Sequence, residues 1–298
     1  MTQPPPRIFD TALYGQRRQR AAAMSGNDLY LAKDAAEQLA FRAYTVNRTF
    51  RHALDLNSRP QIFPLLRPLA VEWTRTGAEE TAHTLTDEAL PFAPEQFDLV
   101  VSVLWLHAVN DLPGLLRQIR QVLKPDGLFL ACLFGGNTLQ ELRHAFAAAE
   151  AEATGGASPR VAPFADVRDL GGLLQRAGFA LPVADCERTI IQYRDLGRLF
   201  ADLRALGETN TLIARSHRML PRRVLAAAAQ EYASRFSGKD GRLTATFDLI
   251  YLTGWSPHES QQKPLEPGSA KARLADALGT KEFRPQELAA PEYPKKTD

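Results

Sequence analysis

His107 stands two residues after Trp105, at the end of the apolar run Leu99 to Leu106. A histidine closing a buried strand can move a proton, and an indole beside it can stack on a ligand. His258 and Glu259 are adjacent, an acid–base pair in type, but they do not make the His-Glu-x-x-His pattern of a zinc site. His52, His83, His144 and His217 show no ligand spacing, and no His-x-Asp or His-x-Glu pair offers the set of an iron(II) oxygenase. No metal is expected. Gly135 and Gly136 end a second apolar run before Asn137, where a substrate backbone or flap can come close. The segment Ala53-Leu54-Asp55-Leu56-Asn57-Ser58-Arg59-Pro60-Gln61 reads as a strand-to-helix turn. Asn57 tolerates a positive φ, Arg59 is a long cation and Pro60 lacks a backbone donor.

The elements that must position these residues follow from periodicity. Residues 7 to 52 read as a polar helical cap over one edge of a sheet. A strand at Ala53–Leu56 leads into a crossover helix kept short by Pro64 and Pro68, and Leu69 to Thr74 suggests the next strand. The runs Leu99 to Leu106 and Gly127 to Phe134 suit strands buried on both faces. Between them Leu115, Leu116, Ile119, Val122 and Leu123 make one helical stripe, opened by Asn110-Asp111-Leu112-Pro113 and closed by the Lys124-Pro125-Asp126-Gly127 turn. Strand, helix, strand implies a right-handed parallel crossover. Thr138 and Glu141 read as a capping box. Further helices span 166–177, 196–206 and 221–236, and strands 186–193 and 243–254. A strand end in such a sheet is where ligands bind, which places His107 on the ligand side.

Bulk properties narrow the class. The 298 residues are 45% hydrophobic and 23% charged, with a net charge of +2, as in an ordinary globular chain and not one built to bind nucleic acid. Cys132 and Cys186 sit in apolar contexts and read as buried small hydrophobes. Arg17, Arg18 and Arg20 read as a solvated helix face. No apolar run reaches membrane-spanning length or forms a leader, so a bacterial cytoplasmic protein is expected, peripheral to a membrane only through a partner.

Leu90-Pro91-Phe92 to Phe97-Asp98 and the Lys124-to-Gly127 turn resemble class I S-adenosylmethionine-dependent methyltransferases of type 11. More narrowly, Ile8-Phe9-Asp10, the segment Leu106 to Pro113, the segment Leu133 to Arg143 and the segment Gly254 to Gln261 resemble the mitochondrial complex I assembly factor 5 family and its bacterial relatives. The likeness spans residues 7 to 274. It implies an α/β Rossmann-like fold with a mostly parallel seven-stranded sheet and helices on both faces. The domains would be a helical cap (1–52), a methyltransferase-like domain (53–260, with inserted helices about 196–236) and an extended, partly disordered tail (261–298).

The cofactor implied is S-adenosylmethionine. Carried over by position, Asp55 closes the first strand, while Asn57, Arg59 and Gln61 stand where the family has three glycines. Glu72, with Thr74 nearby, falls near the ribose-binding position, and Thr86, with Asp87 and Glu88 beside it, near the adenine-binding one. Gly135, Gly136, Asn137, Trp255 and Glu259 fall on the substrate side, and His107, Trp105 and His258 are the catalytic candidates. The family's mitochondrial members are regarded as hydroxylating an arginine of a complex I subunit. Three functions follow: a protein side-chain modifier in complex I assembly, with a complex I subunit or assembly intermediate as partner; a catalytically idle binding module; or a small-molecule methyltransferase.

Overall fold

The computed structural model describes residues 6–24, 29–77, 88–262 and 274–280. They belong to two compact units, Met1–His258 and Glu259–Asp298. In chain order the first unit carries helices α1 (Thr11–Ala22) and α2 (Tyr30–Thr45), strand β1 (Phe50–Leu56), the one-turn helix α3 (Phe63–Leu66), β2 (Ala70–Thr76), β3 (Phe97–Val103), α4 (Leu112–Val122), β4 (Leu123–Phe134), α5 (Gln140–Thr154), α6 (Val167–Ala177), β5 (Ala180–Tyr193), α7 (Leu196–Leu206), α8 (Arg222–Phe236) and β6 (Leu243–Trp255). The second unit carries the short helix α9 (Leu274–Leu278). The tail expected at 281–298 lies outside the described residues.

Among the described residues the sheet has six strands where seven were expected, in the order β2-β1-β3-β4-β6-β5. The first four are parallel, and β6 runs antiparallel between β4 and β5. Alternation assigns each strand residue a face. Leu99, Val101, Leu130 and Cys132 join one core with α2, α5, α7 and α8, whereas Val100, Phe129, Ala131 and Leu133 join a second with α4 and α6.

Several local expectations change. The Lys124–Gly127 turn is absorbed into β4 as an irregularity, with Asp126 at φ 61° and the register against β3 slipping between Phe97 and Leu99. Thr138 and Glu141 do not form a capping box. α5 opens from Leu139 at φ 55° with no side-chain cap. The Thr138 hydroxyl instead donates to the Asp248 carbonyl and accepts from its N–H, and Glu141 accepts from the N–H and hydroxyl of Thr246. A strand packed beside the helix start offers those side chains better partners than their own helix does. Cys132 is buried, but Cys186 is exposed, because β5 is the outer strand and leaves Cys186, Glu187 and Arg188 all in solvent. The N-terminal helices do not cover a sheet edge. α2 packs on a face, its Arg42 paired with Asp185 and lying over the Tyr251 ring, and α1 crosses the carboxyl ends of the strands.

Candidate functional site

The site is built where β1, β3 and β4 end. Asp55, fully buried, accepts from the Ser58 N–H (3.2 Å) and from Arg75 Nε (2.9 Å). Burial pushes its pKa up, against those partners. Its carboxylate folds the Asn57–Gln61 turn back onto the strand end. Asn57 adopts φ 59°, and its carboxamide fills the space beside Gly77, where an added Cβ would lie 2.1 Å from Oδ1. Arg59 is buried, donating to the Ala205 carbonyl, and Gln61 donates to the Ala22 carbonyl (2.9 Å). From α1, Arg18 reaches over the turn to the carbonyls of Asn57 (2.6 Å) and Leu104 (3.0 Å). Arg17 donates to the Asn210 carbonyl. Arg17 and Arg18 are therefore inward-directed ties, Arg18 to carbonyls just beyond β1 and β3 and Arg17 to the segment after α7.

Glu208, just beyond α7, joins these groups. It accepts from the Tyr14 hydroxyl (2.9 Å), lies 2.9 Å from His107 Nε2 and 3.8 Å from Arg18. Burial pushes the Glu208 pKa up, but His107, Arg18 and the Tyr14 hydroxyl outweigh it and hold the carboxyl below its usual range. In the neutral tautomer that donates Nε2–H to Glu208, Nδ1 is an acceptor. Nδ1 is buried and has no hydrogen-bond partner among the described residues. The imidazole rests against Phe134 and Phe164, with ring centroids 4.9 and 5.9 Å away.

His107 and Glu208 line a cavity of about 250 Å³ with Phe9, Phe134, Phe146, Phe164, Phe200 and Phe247, aliphatic side chains between them, and Arg160 and Arg204 also on its wall. Phe9 is held there because Asn110 accepts from the N–H groups of Ile8 and Phe9, and residues 8–10 bond the backbone of Thr211 and Ile213. Glu208 also lines a separate cavity of about 10 Å³ with Arg18 and Arg59.

The model of the methyltransferase domain matches residues 67–131. "Arginine-hydroxylase NDUFAF5, mitochondrial" of Danio rerio is 38% identical over 288 residues, covering 90% of this chain and 89% of that one. The chain belongs to the NDUFAF5 family. The human protein of the same name is 40% identical over 90% of this chain and 83% of its own length. The crystal structure of a candidate methyltransferase from Bacillus halodurans matches with TM-score 0.50 and 16% identity, over 78% of this chain and all of that one. The fold is thus the Rossmann-like class I methyltransferase fold. NDUFAF5 relatives are named as mitochondrial, which corrects the expectation of a bacterial cytoplasmic protein. No helix among the described residues is long and apolar enough to cross a membrane, and no group of three metal-ligating side chains is found there.

This is the S-adenosylmethionine-binding fold, but the residues at its cofactor turn do not fit the group in this conformation. Among the described residues, Asn57 packs beside Gly77, buried Arg59 donates to Ala205 and exposed Gln61 donates to Ala22, while Arg18 and Arg59 line a cavity of about 10 Å³ there. That volume suits one water-sized particle, far below a cofactor pocket. No step through the cofactor follows from this geometry.

The other residues singled out by sequence are dispersed. Glu72 lies near the start of β2, exposed and paired with His52 (3.0 Å), whereas Thr76 ends that strand and accepts from the Asn57 N–H. Glu88 accepts from the N–H groups of Asn110 and Asp111 and so fixes the loop before α4. Asp87 lies outside the described residues. Asn137 is tied to Asp248, and a Cβ on Gly135 would strike Ile250 (2.4 Å); only Gly136 is open. Trp105 is buried in the core of α4 and α6. Trp255 pairs with Leu128, six residues down β4 from Phe134, so it and His258 lie at the opposite end of the sheet, ~20 Å from the cavity. Glu259 is an exposed residue of the second unit. His107 alone among the candidates lines the cavity. Sequence reading missed Glu208, Arg18 and Tyr14, because Glu208 meets Tyr14 across 194 residues and His107 across 101.

Proposed function

We propose that this protein receives a protein side chain, an arginine, in the cavity beside His107 and Glu208, and that it does so during assembly of respiratory complex I. One observation carries the reading: an ionised carboxylate lies at the end of a largely aromatic cavity with room for a side chain. Phenyl faces attract a guanidinium, and a carboxylate with His107 Nδ1 as a further acceptor can take its N–H groups. The relatives' name, arginine-hydroxylase, supports the same substrate. His107 and Glu208 bind and orient the guanidinium, and the Phe walls exclude water from it. A second reading, binding without catalysis, is favoured by the filled cofactor turn.

The test is a cell lacking the chain. Complex I assembly should fall, and an arginine of one subunit should lose the mass of one oxygen. Glu208→Gln should fail to restore either. Normal assembly with the arginine mass unchanged would overturn the proposal. A fall in assembly without any modified arginine in the wild type would leave the binding-only reading.

A further inference from the structure

We propose that Arg18 and Arg59 enclose a binding site for one small monovalent anion, of the halide class, in the place the fold reserves for its cofactor. The site is the cavity of about 10 Å³ beside Glu208, walled elsewhere by Ala32, Ile62, Val103, Leu104 and Leu206. Its volume admits one water-sized particle, which rules out phosphate, sulfate or a carboxylated metabolite.

Three observations converge on an anion. Arg59 is only 5% exposed, and its Nη2 has no hydrogen-bond partner among the described residues. Its Nη1 is satisfied by the Ala205 carbonyl, so an unused donor remains inside the cavity wall. The charges are also unbalanced. Two guanidinium groups face Glu208, which is already shared with His107 and Tyr14. Asp55, the other nearby carboxylate, is engaged by Arg75. Burial raises the Tyr14 pKa, so its hydroxyl supplies no negative charge. A water would satisfy the Nη2 donor but leave the excess positive charge buried, which is the costlier defect. A halide answers both needs.

Glu208 also lines the cavity, its carboxylate engaged by Tyr14, His107 and Arg18, and the remaining walls are aliphatic. Arg59 stands at a position where the family has a glycine, so the cation that blocks the cofactor also creates the anion site. Glu208 lines both cavities but only the small one contains Arg59, so Arg59 variants test this inference apart from the arginine proposal.

The test uses the full chain. Crystals soaked in sodium bromide should show an anomalous scattering peak between Arg18 and Arg59. In solution, thermal midpoints in sodium chloride or bromide should exceed those in sodium gluconate at matched ionic strength, rising to saturation as one bound ligand demands. In Arg59→Leu the halide-dependent increment should vanish, whatever the variant's own midpoint. If Arg59→Leu does not fold, Arg18→Gln is read in the same way. Absence of a bromide peak at this position, or equal midpoints in halide and gluconate for the wild type, would show water there and overturn the proposal.

Discussion

Asn57 sits at φ 59° with its carboxamide against Gly77, which itself lies at φ 72°. A left-handed residue with a Cβ ordinarily costs about 1–2 kcal/mol, a cost that Asn bears more lightly than others. Asn57→Gly should therefore unfold in urea within a few tenths of a kcal/mol of the wild type, whereas Asn57→Val should lose about 2 kcal/mol. The same contact explains why Asn, among residues that tolerate this backbone, suits the position: its side chain fills the space left by Gly77. Arg59 is a different case, because its guanidinium is buried and its pKa is pushed down to about 10, by burial first and by Arg18 next. A cation held against its own desolvation belongs to a packed arrangement and not to an open loop. The turn is thus rebuilt around protein contacts, residue by residue.

At the scale of elements, the turn from β4 into α5 is held by side chains that look like helix caps and act as struts to β6. Asp248 is central: it accepts from Asn137 Nδ2 (2.9 Å) and pairs with Arg188 Nε (2.7 Å). The Arg188 hydrogen bond, against some burial, and then Asn137 hold its pKa below the usual carboxylate range. A depressed folded pKa means that the stabilisation is complete above the unfolded carboxylate pKa and is lost as pH falls through the folded value. Asp248→Asn should cost about 1–3 kcal/mol at neutral pH. It should also flatten the acid limb of stability against pH, as followed by circular dichroism. An unchanged acid limb would place the stabilisation elsewhere. Helix boundaries at Asp166 and Gly178 were legible in sequence because a cap bonds only its own helix, with Asp166 accepting from the Arg168 N–H and Gly178 at φ 85°. Thr138 and Glu141 were not, because their partners lie about 105 to 110 residues away.

For the molecule as a whole, α1 and the segment after α7 close over the carboxyl ends of the strands and turn a cofactor site into a packed layer. Restoring glycine at positions 57, 59 and 61 removes only part of that layer, since Arg18 still spans Asn57 and Leu104 from α1. Calorimetric titration with S-adenosylmethionine should give no heat for the wild type or for the triple-glycine variant. Adding Arg18→Ala to the triple variant should produce measurable binding. Heat of binding from the wild type would show that α1 swings aside and that the packed layer is one of two conformations.

By itself the sequence determined the family, the parallel crossovers, the short crossover helix at Pro64 and Pro68, and the anomaly at Asn57, Arg59 and Gln61. Those properties rest on local periodicity, local turn chemistry and long runs of matching residues, all readable along the chain. Only the tertiary structure decided what the anomaly means. Tyr14 and Arg18 share α1, whereas Arg59, His107 and Glu208 come from three other stretches, and no local signal joins the four. Their charges and hydrogen bonds acquire a role only when burial at the strand ends removes water and forces each group to find a partner within the protein.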